Sequence, residues 1–530
     1  MTDIDRIIIN PERSIGTVNP RIFGNFIENL GTCMYGGVYD PASPKADEQG
    51  FRTDVIETAQ AMGVTNVRYP GGCFAPYYHF EDGIGPKKTR PKTRYRQHYD
   101  NPSNEFGTDE FVAWCAKVGA EPYLCVNMGT GTPEEARNWV EYCNGPAGTR
   151  WADRRVANGH PEPYGVKLWS LGNEIEGKWE QGYCDDAHDY VRRAREYAMA
   201  MKAADPTITL VACGAHFPIL DGIYDVPGGR FANPADNWNR EVLDELFDYV
   251  DYISIHDYIG HDYKDGIMDW WQAMGPRGVF DFLAERMRIL EDAYAIMRQD
   301  IRLIQHKHND FKPIGVALDE YNPWYRSDGN TFCPYNLADA LLVAQYFNIF
   351  LRNADVATLS DMAQLVNVLP AMVAEPGTSR FYRQTVSFVP QMFLANRGKT
   401  AVDAWTACGR RPGEYYPDVP LLDVSASYGD CRVTLNIVNL DADHAHDISV
   451  RVLGGRWAMI RGFVLTDSNA NLDATNDFEH PETVAMHPYG LLPGVGSDGT
   501  GQGGDVIRVP PASLTVLELA PTPSTQGEHQ

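Results

Sequence analysis

Two glutamates stand where short apolar runs end, and that placement makes them candidates for chemistry. Lys167-Leu168-Trp169-Ser170-Leu171-Gly172-Asn173-Glu174 is one such run, and Ile314-Gly315-Val316-Ala317-Leu318-Asp319-Glu320 repeats its grammar far downstream. A strand end that hands a carboxylate to a loop is how barrel enzymes expose reactive groups. Paired carboxylates suit glycoside hydrolysis, in which one donates a proton while the other attacks the sugar or activates water. In the retaining form the two carboxyl groups sit about 5–5.5 Å apart. Glu174 is the candidate acid/base and Glu320 the candidate nucleophile. Glu176 competes with the first and Asp319 with the second. Alternation along a strand predicts that only one of Asp319 and Glu320 faces the barrel axis.

The neighbours extend the pattern. Asn173 can hydrogen-bond a sugar hydroxyl next to the reacting carbon. Tyr258, at the end of Ser254-Ile255-His256-Asp257-Tyr258, can donate to the nucleophile and keep it ionised. Arg68 opens Arg68-Tyr69-Pro70-Gly71-Gly72-Cys73-Phe74, where its fork can orient a carboxylate and the glycines let backbone approach a ligand. Cys73 reads equally as a substrate contact and as a small packed thiol; no paired histidine supports a cysteine nucleophile. Tyr77, Tyr78, His79, Tyr99, Trp270, Trp271, Trp324 and Tyr325 fall on predicted loops. Core packing is the default for any single one, while the Trp270-Trp271 pair reads as a lid.

The elements that must hold these residues alternate strand and helix. Strands are predicted at 22–27, 64–69, 122–127, 166–171, 208–213, 252–255 and 314–319, with an eighth in the apolar segment 356–372. Helices are predicted over 52–62, 108–118 (capped by Thr108), from 133 (capped by Thr132), and over 185–204, 279–299 and 337–353. Eight alternations imply a (β/α)8 TIM barrel over 19–385. A doubly wound sheet would want a Gly-rich phosphate loop after its first strand, and none follows. Beyond 385 the apolar period shifts to two, as in Val433-Thr434-Leu435-Asn436-Ile437-Val438, which predicts an all-β sandwich, jelly-roll-like, over 386–520. The strands of 1–18 are expected to join that sandwich, and 521–530 is expected to be a disordered tail.

Composition narrows the class. With 46 basic and 71 acidic residues the 530-residue chain carries a net charge of −25, which argues against nucleic acid or an anionic membrane as partner. No stretch of about 20 apolar residues could span a bilayer. Asp3, Asp5 and Arg6 interrupt any N-terminal apolar segment, so a cytoplasmic protein with reduced cysteines is expected. Neither CxxC nor HExxH spacing suggests a metal, and no cofactor is expected.

These motifs together resemble glycoside hydrolase family 51, the retaining α-L-arabinofuranosidases. The likeness runs through Gly24-Asn25-Phe26-Ile27-Glu28-Asn29-Leu30-Gly31, Pro70-Gly71-Gly72-Cys73-Phe74 and Asp82-Gly83-Ile84-Gly85-Pro86. It continues through Asn104-Glu105-Phe106-Gly107-Thr108-Asp109-Glu110-Phe111, Asn127-Met128-Gly129-Thr130-Gly131-Thr132, Leu171-Gly172-Asn173-Glu174, Asp319-Glu320-Tyr321-Asn322 and Arg383-Gln384-Thr385. The resemblance implies Glu174 as acid/base and Glu320 as nucleophile. It implies that Glu28, Cys73, Asn173, Tyr258 and Gln384 bind the furanose. It further implies arabinose-containing oligosaccharides as substrates, no cofactor, and a homo-oligomer, commonly a hexamer. Family members often carry Trp at the places of Phe80, Tyr321 and His98, and these departures are expected to alter the pocket rim. The competing readings are a β-D-galactofuranosidase, another retaining barrel enzyme such as an endo-glucanase or xylosidase, and a non-catalytic carbohydrate-binding protein.

Overall fold

The computed structural model describes residues 4–93, 103–215, 234–260, 270–326, 332–490 and 506–522. Strand β1 (Asp5–Thr17) comes first and does not enter the barrel. Eight parallel strands then close on themselves: β2 (Gly24–Phe26), β3 (Asn66–Tyr69), β4 (Glu121–Cys125), β5 (Leu168–Leu171), β6 (Thr209–Cys213), β7 (Tyr252–Ile259), β8 (Gly315–Pro323) and β9 (Ala357–Met362). Closure is made where Gly24 and Asn25 pair with Asp361 and Met362. The lower interior is filled by Tyr123, Leu168, Val211, Tyr252, Ala317 and Leu359, a packed layer rather than a pore.

Local sequence explains the helices around the barrel. Thr132 accepts from the Glu135 N–H with Pro133 at the first helical position, opening the helix Pro133–Asn144. Asp186 caps Ala187–Ala204 in the same way through the Asp189 N–H. Thr108 is not a cap: Gly107 holds that position and Glu110 reaches back to its N–H. The Thr108 hydroxyl instead accepts from the Trp139 indole at 3.0 Å, tying two helices together. The helix expected over 279–299 runs from Trp270 to His308, bent at Gly275 (φ 66°) ahead of Pro276. Trp271 therefore sits in a helical turn, not in a loop free to act as a lid.

The second unit is a sheet of nine strands. Its order places β1 between strands Thr400–Ala407 and His446–Val452, antiparallel to the first and parallel to the second. Alternation serves two interfaces. Val433, Leu435 and Ile437 join Ile7, Ile448 and Ile507 in the sheet's own core, which requires the sheet to fold over on itself as a sandwich. Asn436 on the opposite face bonds to Asn396 below the barrel. Helix Leu337–Arg352 is the shared wall: Asn348 and Arg352 both bond Asp423 of the sheet. Helical turns at Thr385–Ser387 and Phe388–Phe393 precede the first strand of the sheet after the barrel. The disordered tail expected over 521–530 starts too early, since Pro521 ends the strand Ser513–Pro521 and the Thr522 N–H donates to the Arg456 carbonyl; residues 523–530 lie outside the described residues.

Candidate active site

The C-terminal rim of the barrel gathers an unusually dense set of charges. Arg68, on β3, is fully buried and forks across the site. Its Nη1 donates to Glu320 Oε1 at 2.5 Å and its Nη2 to Asn173 Oδ1 at 2.7 Å, while Nε lies 3.6 Å from Asp319. A guanidinium suits this task because its planar donors reach several acceptors at once. Tyr258 donates to the other Glu320 oxygen at 2.7 Å, and Trp324 packs edge-on to the Tyr258 ring. Both oxygens of Glu320 thus accept hydrogen bonds, the arrangement of a carboxylate.

Glu174 follows β5 in a left-handed backbone conformation (φ 42°), two residues after Gly172 (φ 87°). That turn carries the side chain back over the barrel mouth. Its Oε1 lies 2.8 Å from His256 Nδ1, and its Oε2 accepts from the Trp179 indole at 2.7 Å. A Glu174 oxygen, a Glu320 oxygen and a His256 nitrogen all lie within 4.8 Å of one another. Glu176 is not part of this cluster; its charge falls on the buried Cys213 thiol.

The expectation that only one of Asp319 and Glu320 faces the axis fails. Leu318 pairs with Ile255, but Glu320 pairs with the very next residue, His256. The extra residue, Asp319, is a bulge, and it lets both acids point inward. Asp319 accepts from Tyr123 at 2.8 Å and from Ser254, and lies 3.3 Å from His256 Nε2. Burial works against its charge, yet Arg68 and His256 bring its pKa down to about 2. His256 is held well above the ordinary histidine range: burial opposes the cation, but Glu320, Asp319 and Glu174 outweigh it. With Asp319 beside Nε2, Nδ1 and Glu174 form an acid–base pair in direct contact.

Glu28 is 3% exposed, just beyond β2. The Phe74 N–H donates to its Oε1 at 2.9 Å and Gln364 bonds its Oε2 at 2.8 Å. A Cβ on Gly71 would fall 2.7 Å from Glu28 Cγ, and one on Gly72 2.8 Å from Glu28 Oε1, so the glycine pair is what lets this loop wrap the acid. Burial first, then the Glu320 charge, pushes the Glu28 carboxyl up to about 8. Cys73 sits beyond the glycines between Glu174 and Glu180. Burial and the charges of Glu180, Glu174 and Glu28 hold its thiol well above the ordinary range, so it is a protonated donor rather than a nucleophile.

Other expected residues are placed elsewhere. Gln384 is a brace: its Nε2 donates to the carbonyls of Cys333 and Pro370, and its Oε1 accepts from the Tyr335 N–H. Both amide hydrogens are thereby used on backbone, and the glutamine at the buried acid is Gln364. Phe80 is fully buried, stacked on Trp139 at 5.6 Å and close to Trp151, and Tyr321 packs on Tyr346 and Phe350 outside the barrel wall. Neither forms a pocket rim. Tyr78 and Tyr325 are likewise buried, bonded to Tyr69 and Asp339. His98 and Tyr99 lie outside the described residues. All ten cysteines are free. His256, Trp179, Glu180 and Gln364 were not singled out from the sequence. His256 could have been, since it precedes Tyr258 by two on one strand and so shares its face. Trp179 and Glu180 follow Glu174 on an irregular segment with no period to read.

A closed parallel barrel with two glutamates converging at its C-terminal rim defines a barrel glycosidase. Two models for α-L-arabinofuranosidases match the chain, a domain 1 model over residues 58–262 and a C-terminal domain model over 319–499. An exo-α-(1→6)-L-arabinofuranosidase of Bifidobacterium longum is 32% identical, with 97% of each chain covered. Intracellular exo-α-(1→5)-L-arabinofuranosidase 1 of Bacillus subtilis is 33% identical over 97% of this chain and 98% of its own. A solved family 51 α-L-arabinofuranosidase from B. longum superposes with a TM-score of 0.85 at 30% identity, covering 98% of this chain and all of its own. The chain belongs to glycoside hydrolase family 51, the α-L-arabinofuranosidases, and is an enzyme of that class.

Proposed function

We propose that the enzyme releases terminal α-L-arabinofuranosyl residues from arabino-oligosaccharides by double displacement with net retention. The observation that carries this reading is the carboxylate pair, with oxygens within 4.8 Å, in two different settings. Glu320 accepts from Arg68 and Tyr258, which orient an ionised nucleophile. Glu174 touches His256 and Trp179, beside a group with which it can exchange a proton. Glu320 attacks the anomeric carbon as Glu174 protonates the departing oxygen, and a glycosyl-enzyme ester forms. Glu174 then takes a proton from water, which attacks the same carbon and frees Glu320. Inverting enzymes space their carboxyl groups about 6.5–9.5 Å apart to admit a water, and oxygens within 4.8 Å favour the shorter, retaining arrangement. Asn173 and the Cys73 thiol flank the pair and supply polar contacts for ring hydroxyls, with Glu28 behind them.

Relatives named for (1→5) and (1→6) linkages support the α-linked arabinofuranosyl class without choosing between the two. Relatives named intracellular support action in the cytoplasm on soluble oligosaccharides. Family likeness also supports a homo-hexamer, which light scattering checks. The decisive experiment compares 4-nitrophenyl α-L-arabinofuranoside with the β-D-galactofuranoside and the β-D-xylopyranoside. Preference for the first is expected, and Glu320→Ala should abolish its turnover. With Glu174→Ala and an activated aryl substrate, the glycosyl-enzyme should accumulate and be visible by intact mass. Preference for another sugar, or full turnover by Glu320→Ala, overturns the reading.

A further inference from the structure

Glu180 is an acid beside Glu174 at this rim, with neither the nucleophile nor the acid/base role. It is 6% exposed. Its Oε1 accepts from Asn173 Nδ2 at 3.2 Å. Its Oε2 is buried with no nitrogen or oxygen partner among the described residues. A Glu180 oxygen, the Cys73 sulfur and a Glu174 oxygen lie within 4.8 Å of one another. We propose that Glu180 is a positioning residue for the reaction, fixing the Asn173 amide from one side and the Cys73 thiol from the other. Between them, these two groups define the wall of the site that reads the ring hydroxyls of the furanose. The inference rests on the assignment of this cleft as the sugar site.

The Asn173 amide is held at both ends. Its Oδ1 is held by Arg68 and its Nδ2 by Glu180, so the group cannot turn over. One Nδ2 hydrogen is committed to Glu180, and the other keeps a single direction in which to meet a ligand. Without the acceptor at Glu180, the amide is pinned at its oxygen alone. Charge sets the form in which Glu180 does this. Two carboxylates this close cannot both ionise cheaply, and one retains its proton. Burial, and then the charge of Glu174, push Glu180 up to about 9. Through the neutral range it is therefore an uncharged acid, an acceptor toward Asn173 that also carries a hydrogen. A glutamine at position 180 reproduces both functions, an acceptor oxygen and a donor, without any charge. A leucine fills similar space and reproduces neither.

The test uses the full-length enzyme with 4-nitrophenyl α-L-arabinofuranoside and its 2-, 3- and 5-deoxy analogues. Glu180→Leu should lose about tenfold or more in kcat/KM, the scale of one buried hydrogen bond left unmade, and Glu180→Gln should recover most of that loss. The penalty for removing one particular hydroxyl should shrink in Glu180→Leu while the other two penalties stand, because the contact behind it is already gone. A merely structural role would lower all substrates alike. Turnover of Glu180→Leu equal to wild type, a Glu180→Gln variant as poor as Glu180→Leu, or a uniform loss across the analogues overturns the proposal. Should Glu180→Leu fail to fold, alkylation of Cys73 by iodoacetamide at about pH 9.5 decides, read by peptide mass. Removing a charge from beside the thiol should speed it several-fold in Glu180→Gln, and an unchanged rate overturns the proposal. Glu174→Ala separates the two readings: if it keeps full activity the catalytic assignment fails, whereas the Glu180 outcomes bear on Glu180 alone.

Discussion

Glu28 makes the pH dependence of stability calculable. Its carboxyl is buried, and burial with the Glu320 charge lifts it from an ordinary 4.5 to about 8. Between those values the folded enzyme holds a proton that the unfolded chain has released. Stability therefore falls as pH rises from about 4.5 to about 8, because the folded state binds the extra proton. At about 1.36 kcal/mol per pKa unit, a rise of roughly 3.5 units makes the full loss on the order of 5 kcal/mol. Glu28→Gln keeps the shape and removes the titration. Its Oε1 can still accept from the Phe74 N–H, and its amide can donate to Gln364 Oε1, which is buried without a partner among the described residues. A chain of 530 residues unfolds with an entropy near 1.1 kcal/mol/K, so about 5 kcal/mol is worth roughly 4–5 °C. Melting curves of wild type and Glu28→Gln should coincide near pH 5, and the variant should lead by about 4 °C once pH passes about 8. Taking the difference between the two proteins cancels the titrating groups that do not interact with Glu28. A difference that stays constant across this range would mean that Glu28 is ionised in the fold throughout, and the account of its burial would be wrong.

Tyr258→Phe removes one of the two donors to Glu320; a hydrogen bond to a charged group is worth about 1.5–3 kcal/mol, so kcat/KM on the aryl arabinofuranoside should fall about 10- to 100-fold with the melting temperature little changed. Arg68→Met should act on the fold as well as the chemistry. It leaves Asp319 and Glu320 buried without their common cation, which should cost about 3–5 kcal/mol and lower the melting temperature by several degrees. A stable Arg68→Met enzyme would show that His256 alone balances those acids.

The barrel was legible because each of its strands is a short apolar run with a polar or glycine-rich exit, and that pattern survives without knowledge of register. What the pattern could not carry is anything that depends on a single inserted residue. Asp319 and Glu320 were read as alternatives under strict period two, and one bulge makes them collaborators, giving Arg68 and His256 a second anion to balance. A bulge of one residue leaves no compositional trace, since the run Val316-Ala317-Leu318 is apolar in either register. The same limit governs residues that function through backbone. Gln384 belongs to a motif shared with the family, and the resemblance implies a sugar contact there. Its three hydrogen bonds then go to Cys333, Pro370 and Tyr335, which leaves no amide hydrogen for a sugar. Phe80 and Tyr321 make the converse point. They depart from the family's usual residues and so looked like specificity determinants, yet both face packed aromatic layers, where a change of ring alters packing rather than recognition. Residue identity fixes which hydrogen bonds and contacts a side chain can make; whether it meets the sugar depends on what its neighbours have already taken. By that criterion the proposed reading of the furanose falls to Asn173, with one amide hydrogen uncommitted among the described residues, and to Cys73, with Glu180 proposed to keep both in place.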